Sequence, residues 1–279
     1  AIVTIDSFTV TTRVALRVRE AWTDAVIINV VPPAIWAYRP ERTIKLAKAV
    51  DHVASLFPFE PEFLKAHGGP PATYVGHPLM SDPSLRAVMD RRRTADHLSP
   101  RSPPHLLLLP GSRRGEINRL MSDFGQTYQL LHERIPGLTA SLPAVPRVRN
   151  LVERELQTWK VQPEIVIGDE AKWSAFAKAD AALAASGTVA LQLALAKVPM
   201  AIAYRVDPAT YLLRHLVTGW TASLPNFIVG HPLVPEHFHD MVRPEHLARR
   251  LVRLLTDTPE RRAQMTGFGE IRSAMEVDR

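Results

Sequence analysis

Short apolar runs alternate with stretches of helical apolar spacing along nearly the whole of this 279-residue chain. That alternation constrains the fold more than any other feature. A strand separated from the next by a helix pairs with it in parallel through a crossover, which builds a parallel α/β sheet covered by helices. In the first part, Ile2–Ile5, Ala25–Val31, Val53–Phe57 and Ala72–Val75 read as strands. Thr11–Trp22, with Val14, Leu16, Val18 and Ala21 at helical spacing, Arg39–Val50 and Glu60–His67 read as the helices between them. Pro32-Pro33 ends the second strand, because proline cannot donate to the ladder.

From His77 to Pro104 the chain becomes proline-rich around one basic helix, Pro83–Arg93. This reads as a linker over residues 81–104, between a first lobe at 1–80 and a second at 105–279. The second lobe is expected to use strands Leu106–Leu109, Thr139–Leu142, Glu164–Ile167, Ala181–Ala184 and Pro199–Ala203. Helices fall between them, a further one is expected at Pro208–Val217, and two close the chain. The fold class is therefore α/β, with two lobes built on parallel sheets.

The chain holds no cysteine, which excludes disulfides, thiolate metal sites and a cysteine nucleophile. Its formal net charge of +6 suits an anionic partner, such as nucleic acid, a phosphorylated metabolite or an acidic membrane surface, although a basic solvated surface is the more usual origin of such a charge. The apolar run Ala181–Ala196 is shorter than the roughly 20 residues a membrane span needs, and Ser186-Gly187-Thr188 interrupts it. The chain opens without a methionine, directly in a strand-like run, and reads as a piece of a longer protein.

Ligands of open parallel sheets bind beyond the carboxyl ends of the strands. Two second-lobe loops there have suitable chemistry. Gly111, Ser112 and Arg113 directly follow a strand: glycine permits close approach, serine offers a hydroxyl, and arginine forks onto phosphate. A turn followed by an N-cap accounts equally for that spacing. Ser186, Gly187 and Thr188 precede an apolar helix, whose N-terminus attracts anions or is simply capped by Ser186 or Thr188. Gln192 lies one turn further along. Asn226 is placed in a loop. Glu236, His237, His239 and Asp240 read better as the polar start of a helix than as metal ligands.

In the first lobe, Asp6 ends a strand, where a catalytic carboxylate or a helix cap is equally at home. Trp36 and Arg39 follow another strand. Arg42, Lys45 and Lys48 form a basic stripe, and Gly76-His77-Pro78 ends the lobe.

These motifs, in this order, resemble the lipid-A-disaccharide synthase family, inverting glycosyltransferases of the two-lobed GT-B type. The resemblance is carried by Ile5-Asp6-Ser7, Trp36-Ala37-Tyr38-Arg39, Pro58-Phe59-Glu60, Val75-Gly76-His77-Pro78, Leu109-Pro110-Gly111-Ser112-Arg113, Ser186-Gly187-Thr188, Tyr204-Arg205, Ser223-Leu224-Pro225-Asn226 and Val234-Pro235-Glu236. It implies two Rossmann-like lobes, with the N-terminal lobe incomplete, because the family's first strand and glycine-rich loop are not in this sequence. It implies transfer from UDP-2,3-diacylglucosamine to 2,3-diacylglucosamine 1-phosphate, giving the β-1,6 lipid A disaccharide 1-phosphate and UDP. Asp6 is then the catalytic base. Gly111, Ser112, Arg113, Ser186, Gly187, Thr188, Gln192, Arg205, Asn226 and Glu236 bind the UDP-sugar, with Gln192 where the family has a ribose-binding glutamate. Trp36, Arg39 and His77 serve the acceptor or the interlobe region.

No cofactor, metal or nucleic acid is implied. The expected location is cytoplasmic, peripheral on the inner membrane surface, and a homodimer is allowed. Two alternatives remain at this point. One is an inactive UDP-sugar-binding remnant. The other is a different GT-B enzyme, such as a UDP-N-acetylglucosamine 2-epimerase.

Overall fold

A computed structural model describes residues 1–32, 34–37, 40–94, 99–207 and 219–277. It divides into two compact units, one built on Ala1–Met80 together with the end of the chain from Ala274, and the other on most of the chain between Ser81 and Ser273. Each has its own parallel sheet, as the alternating pattern requires.

In the first unit, strands β1 (Ile2–Ile5), β2 (Ile27–Val30), β3 (His52–Ser55) and β4 (Ala72–Tyr74) pair in sequence order, all parallel. Helices α1 (Phe8–Ala21), α2 (Arg42–Ala49) and α3 (Glu60–Ala66) connect them. Ala15, Ile27, Leu46, Val53 and Leu64 form the core, at the helical and alternating spacings seen in the sequence. β1 is an edge strand, and its Val3 and Ile5 are exposed.

In the second unit, β5 (His105–Leu109), β6 (Thr139–Ala144), β7 (Glu164–Ile167), β8 (Ala181–Ala185), β9 (Met200–Tyr204) and β10 (Glu236–Phe238) form one sheet. Their spatial order is β10-β9-β8-β5-β6-β7, with every pairing parallel. The chain builds outward from β5 through β6 to β7, then returns to β8 on the other side and builds the opposite way. The order therefore reverses between β5 and β8, which is the topological switch point of such a sheet. All five residues of β8 are buried, as expected where helices cover both faces. Helix α5 (Arg114–Arg134) buries Ile117, Leu120, Met121, Phe124, Tyr128 and Leu131, one face at i, i+3, i+4 and i+7 spacing.

The expected linker is largely integral to this unit. Its helix α4 (Pro83–Thr94) carries Arg92, which is buried. The Arg92 guanidinium donates to the carbonyls of Ala179 at 2.7 Å and Lys197 at 2.9 Å. These carbonyls lie just past α7 (Asp169–Lys178) and α8 (Thr188–Leu195), so one side chain closes two helix C-termini. Buried Asp180 accepts hydrogen bonds from the Arg101 side chain at 3.1 Å and the His105 amide at 2.7 Å, anchoring the far end of the stretch.

Two local expectations change. Leu224-Pro225-Asn226 opens helix α9 (Leu224–Val229), where Pro225 suits the first turn and Gly230 ends it at φ 74°. Glu236-His237-Phe238 is strand β10 and not a helix start. It alternates with only His237 buried, a period too short to announce itself in three residues. Helices α6 (Arg149–Leu156), α10 (Pro244–Leu254) and α11 (Pro259–Met275) complete the described α-helices. The helix expected at Pro208–Val217 lies outside the described residues.

Gly125, inside α5, has the Trp159 ring so close that an added Cβ would lie 2.6 Å from it. Replacing glycine by alanine inside a helix ordinarily gains about 1 kcal/mol. Here overpacking reverses the sign, and Gly125→Ala is predicted to destabilise by about 1–3 kcal/mol. Urea denaturation midpoints check this.

Candidate functional site

The second unit opens a cavity of about 610 Å³ at the carboxyl ends of its strands, flanking the β5/β8 switch point. Gly111, Ser112, Arg113, Ser186, Gly187, Thr188 and Gln192, the residues singled out from the two loops, all line it. A third strand-end turn joins them. Gly168, Asp169 and Lys172, between β7 and α7, close another side of the cavity. They were missed in the sequence, although Ile167-Gly168-Asp169 repeats the same strand–glycine–helix arrangement.

Three helix N-termini thus face one cavity, with different electrostatics. At α5, the Glu116 carboxylate accepts from the Ser112 amide at 3.0 Å and the Arg113 amide at 3.2 Å. The local positive end is already neutralised. Gly111 is required beside it: φ is 110°, and a Cβ would lie 2.4 Å from a Glu116 oxygen. The first turn of α7 holds Asp169 and Glu170. Only α8 has no acidic residue in its first turn, and its N-cap, Gly187, makes no side-chain cap bond. The Ala190 amide turns back to the Gly187 carbonyl at 3.1 Å, which leaves the amides of Thr188 and Val189, both lining the cavity, without intrahelical partners. Of the three termini, α8 offers the best place for an anion.

Two cations stand within reach. Arg113 is 81% exposed and pairs with Glu116 at 3.1 Å, an exposed pair worth about 0–1 kcal/mol that a stronger anion displaces. The Lys172 ammonium lies 4.2 Å from the Trp173 ring centroid and 3.8 Å from Asp169. Half-buried Gln192 presents a neutral amide on the same wall.

Ser186 does not cap α8. Its hydroxyl donates to the Ala222 carbonyl at 2.9 Å. The Ala222 amide donates to Glu236 at 2.9 Å, and Glu236 accepts from the Asn226 amide at 3.2 Å. Buried Asn226 also accepts from the Leu233 and Val234 amides at 3.0 and 2.8 Å. The structure therefore places Asn226 and Glu236 outside the cavity lining, in a chain of bonds that holds Ser186. Arg205 is also away from the lining. It donates to the Val242 carbonyl at 2.8 Å and pairs with Asp123 at 3.1 Å, joining the end of β9 to α5. Among the described residues, no group of three His, Cys, Asp or Glu side chains is placed to hold a metal.

In the first unit, Asp6 is exposed at the carboxyl end of β1. Asp6 and Ser7 both have positive φ, 53° and 52°. Two successive non-glycine residues in this region are strained, and such strain concentrates at functional positions. The Thr11 hydroxyl braces the turn, donating to the Asp6 carbonyl at 2.7 Å. Arg39 lies outside the described residues.

Trp36 and His77 meet in one aromatic cluster. The Trp36 ring lies edge-on to Phe59 at 5.3 Å, and Phe57 lies 5.3 Å from His77. Beneath them Glu60 is buried. It accepts from the Trp36 indole N–H at 3.1 Å and from the Leu56 and Phe57 amides at 3.1 and 3.0 Å. Burial pushes its carboxyl up to about 7, against the opposing pull of these hydrogen bonds. Burial also pushes the His77 imidazole down.

Comparison with known proteins places this geometry in a class. The fold matches solved structures over nearly the whole chain. A Neisseria meningitidis UDP-GlcNAc 2-epimerase bound to UDP-GlcNAc has TM-score 0.56 and 13% identity, covering 96% of this chain and 78% of that one. Acinetobacter baumannii MurG has TM-score 0.55 and 14% identity, covering 94% and 72%. The two Rossmann-like parallel sheets are those of the GT-B glycosyltransferases.

Sequence comparison narrows the class. A family model described as lipid-A-disaccharide synthetase matches residues 1–278. The lipid-A-disaccharide synthase of Rhodopseudomonas palustris (strain HaA2) is 42% identical over 98% of this chain and 69% of its own length. That of Rhodospirillum centenum is 40% identical over 97% and 67%, and that of Ruegeria pomeroyi is 37% identical over 94% and 67%. The chain belongs to the lipid-A-disaccharide synthetase family, glycosyltransferases of lipid A biosynthesis. The epimerase and inactive-remnant readings are not favoured.

Glu60 generates a prediction. Its carboxyl is raised from 4.5 to about 7 in the native state, so the native state favours the protonated form. The contribution is complete below pH 4.5 and is lost as pH rises through 7. Stability is predicted to fall by about 3 kcal/mol across that window. Denaturant melts at several pH values should show this slope in the parent and a flattened one in Glu60→Gln.

Proposed function

We propose that the chain transfers a diacylated glucosamine from UDP-2,3-diacylglucosamine to 2,3-diacylglucosamine 1-phosphate, and that the cavity beside β5 and β8 holds the UDP portion of the donor. The acceptor 6-hydroxyl attacks the anomeric carbon with inversion. The bond from that carbon to the diphosphate breaks, its electron pair leaves with UDP, and the hydroxyl proton passes to Asp6. The products are the β-1,6 disaccharide 1-phosphate and UDP.

The observation that carries this reading is the unneutralised α8 N-terminus at the switch point, with Gly187 leaving room for close approach. A diphosphate gains negative charge as it leaves. Donors already aimed at its position stabilise that charge without reorganising. Arg113 leaves its weak pair with Glu116 for this stronger anion, and Gln192 meets the ribose. Ser186, held through Ala222, Glu236 and Asn226, keeps the loop in place. Asp6 suits a base because it is exposed at a strand end on a strained turn. Trp36 and His77 present an aromatic surface to the acceptor sugar.

The substrates and product are amphiphiles. No helix among the described residues is long and apolar enough to cross a membrane. Exposed Lys45 and Lys48 on α2 and the net charge of +6 suit a peripheral place on the acidic inner membrane face.

UDP release assayed with both acylated sugars tests the proposal. Asp6→Ala is expected to lower kcat about 10²–10⁴-fold, and Arg113→Ala to lower kcat/KM about 10–100-fold. UDP release that proceeds without the acceptor, or at parental rate in Asp6→Ala, would overturn it.

A further inference from the structure

The second unit has another concavity, of about 460 Å³, formed on α10. His246, Arg249, Arg250 and Arg253 line it from that helix, His237 from β10 and Glu260 from α11. We infer that this is a second anion site, taking a phosphate group, which is separate from the strand-end cavity and shares none of its lining residues.

The helix itself supplies the charge. Positions 246, 249, 250 and 253 fall at i, i+3, i+4 and i+7, one stripe of the helix. Leu247, Ala248, Leu251 and Leu254 occupy the buried face. The basic stripe is thus not an incidental scatter of surface charge. Like charges at these spacings repel and each pair costs a few tenths of a kcal/mol. Countercharge is scarce. Arg253 pairs with Glu260, while among the described residues Arg249, Arg250 and His246 have no carboxylate within ion-pair distance. Along the chain, Glu245 lies one turn before Arg249 and Asp240 further back, both exposed; Asp257 pairs with Arg262 at 2.6 Å, and the Arg243 side chain is turned to the Asp240 carbonyl at 2.8 Å.

The wall of the concavity feels the same field. His237 is buried, and its Nδ1 donates to the Ile202 carbonyl at 3.2 Å. Burial lowers the affinity of its ring for a proton, the Ile202 bond opposes this, and Arg250 and His246 lower it further. The positive field of the stripe therefore reaches into the fold. A phosphate relieves that repulsion, accepts forked bonds from Arg249 and Arg250 and favours protonation of His237. Exposed Met241 adds an apolar contact at the same place.

A phosphate group arrives either on a soluble ion or on a lipid headgroup, and two probes distinguish these sources. Inorganic phosphate is titrated into the protein and read by NMR on the ring resonances of His237 and His246, which line this concavity and not the other. Flotation is measured with phosphatidylcholine vesicles with and without phosphatidylglycerol. Arg249→Gln/Arg250→Gln, checked for folding by its melting curve, is compared with the parent and with Arg113→Ala. The expected result is binding of at least one probe, weakened about tenfold in the double variant and unchanged in Arg113→Ala. Phosphate binding would assign a soluble ligand; binding to phosphatidylglycerol vesicles alone would assign a headgroup. Glycosyl transfer in detergent should be unaffected by the double variant. Parental binding by the double variant, or no binding of either probe by the parent, would overturn the inference.

Discussion

Parallel pairing is the constraint on which the second unit depends. Six strands running the same way put every carboxyl end, and every following helix N-terminus, along one edge. The reversal of order between β5 and β8 then separates the loops that leave those strands and opens the space between them. The cavity is a consequence of connectivity, and its lining residues are those the connectivity delivers. What remains for local sequence is to decide which of the adjoining helix ends stays positive.

That decision rests on few side chains. Glu116 neutralises the start of α5 while bracing Gly111–Arg113. Asp169 and Glu170 put negative charge in the first turn of α7. The α8 end keeps its field because glycine stands at its N-cap and Ser186 is turned away to Ala222. Asn226 and Glu236 act through that contact, holding the backbone that holds Ser186. The result is an anion-receptive end supported by hydrogen bonds, in which the Glu236 carboxylate serves to position the loop.

Much of this was legible in the sequence, because periodicity and strand-end grammar are local. Ile2–Ile5 and Glu164–Ile167 are strands with the bounds read from the residues alone, and both glycine-bearing loops lie where expected. What escaped is what depends on distant partners. Nothing local distinguishes the buried Arg92, which closes two helices more than 80 residues away, from the exposed Arg86 and Arg91 on the same helix. β10 has three residues and one buried side chain, too few for a period to show. The bonding of Asn226 to residues 233–236 turns an expected ligand position into a brace, and only the tertiary structure reveals that partner. Glu60 reads as an acidic helix start, yet its environment is set by Trp36 and the turn at Leu56–Phe57.

The central claim is that the α8 terminus at the switch point recognises a diphosphate. Calorimetric titration of the protein with UDP and with uridine tests it most directly. The two ligands share a base and ribose and differ in the diphosphate. UDP is predicted to bind about tenfold tighter or more, from charge-assisted bonds that uridine cannot make. Equal affinities for UDP and uridine would contradict the account.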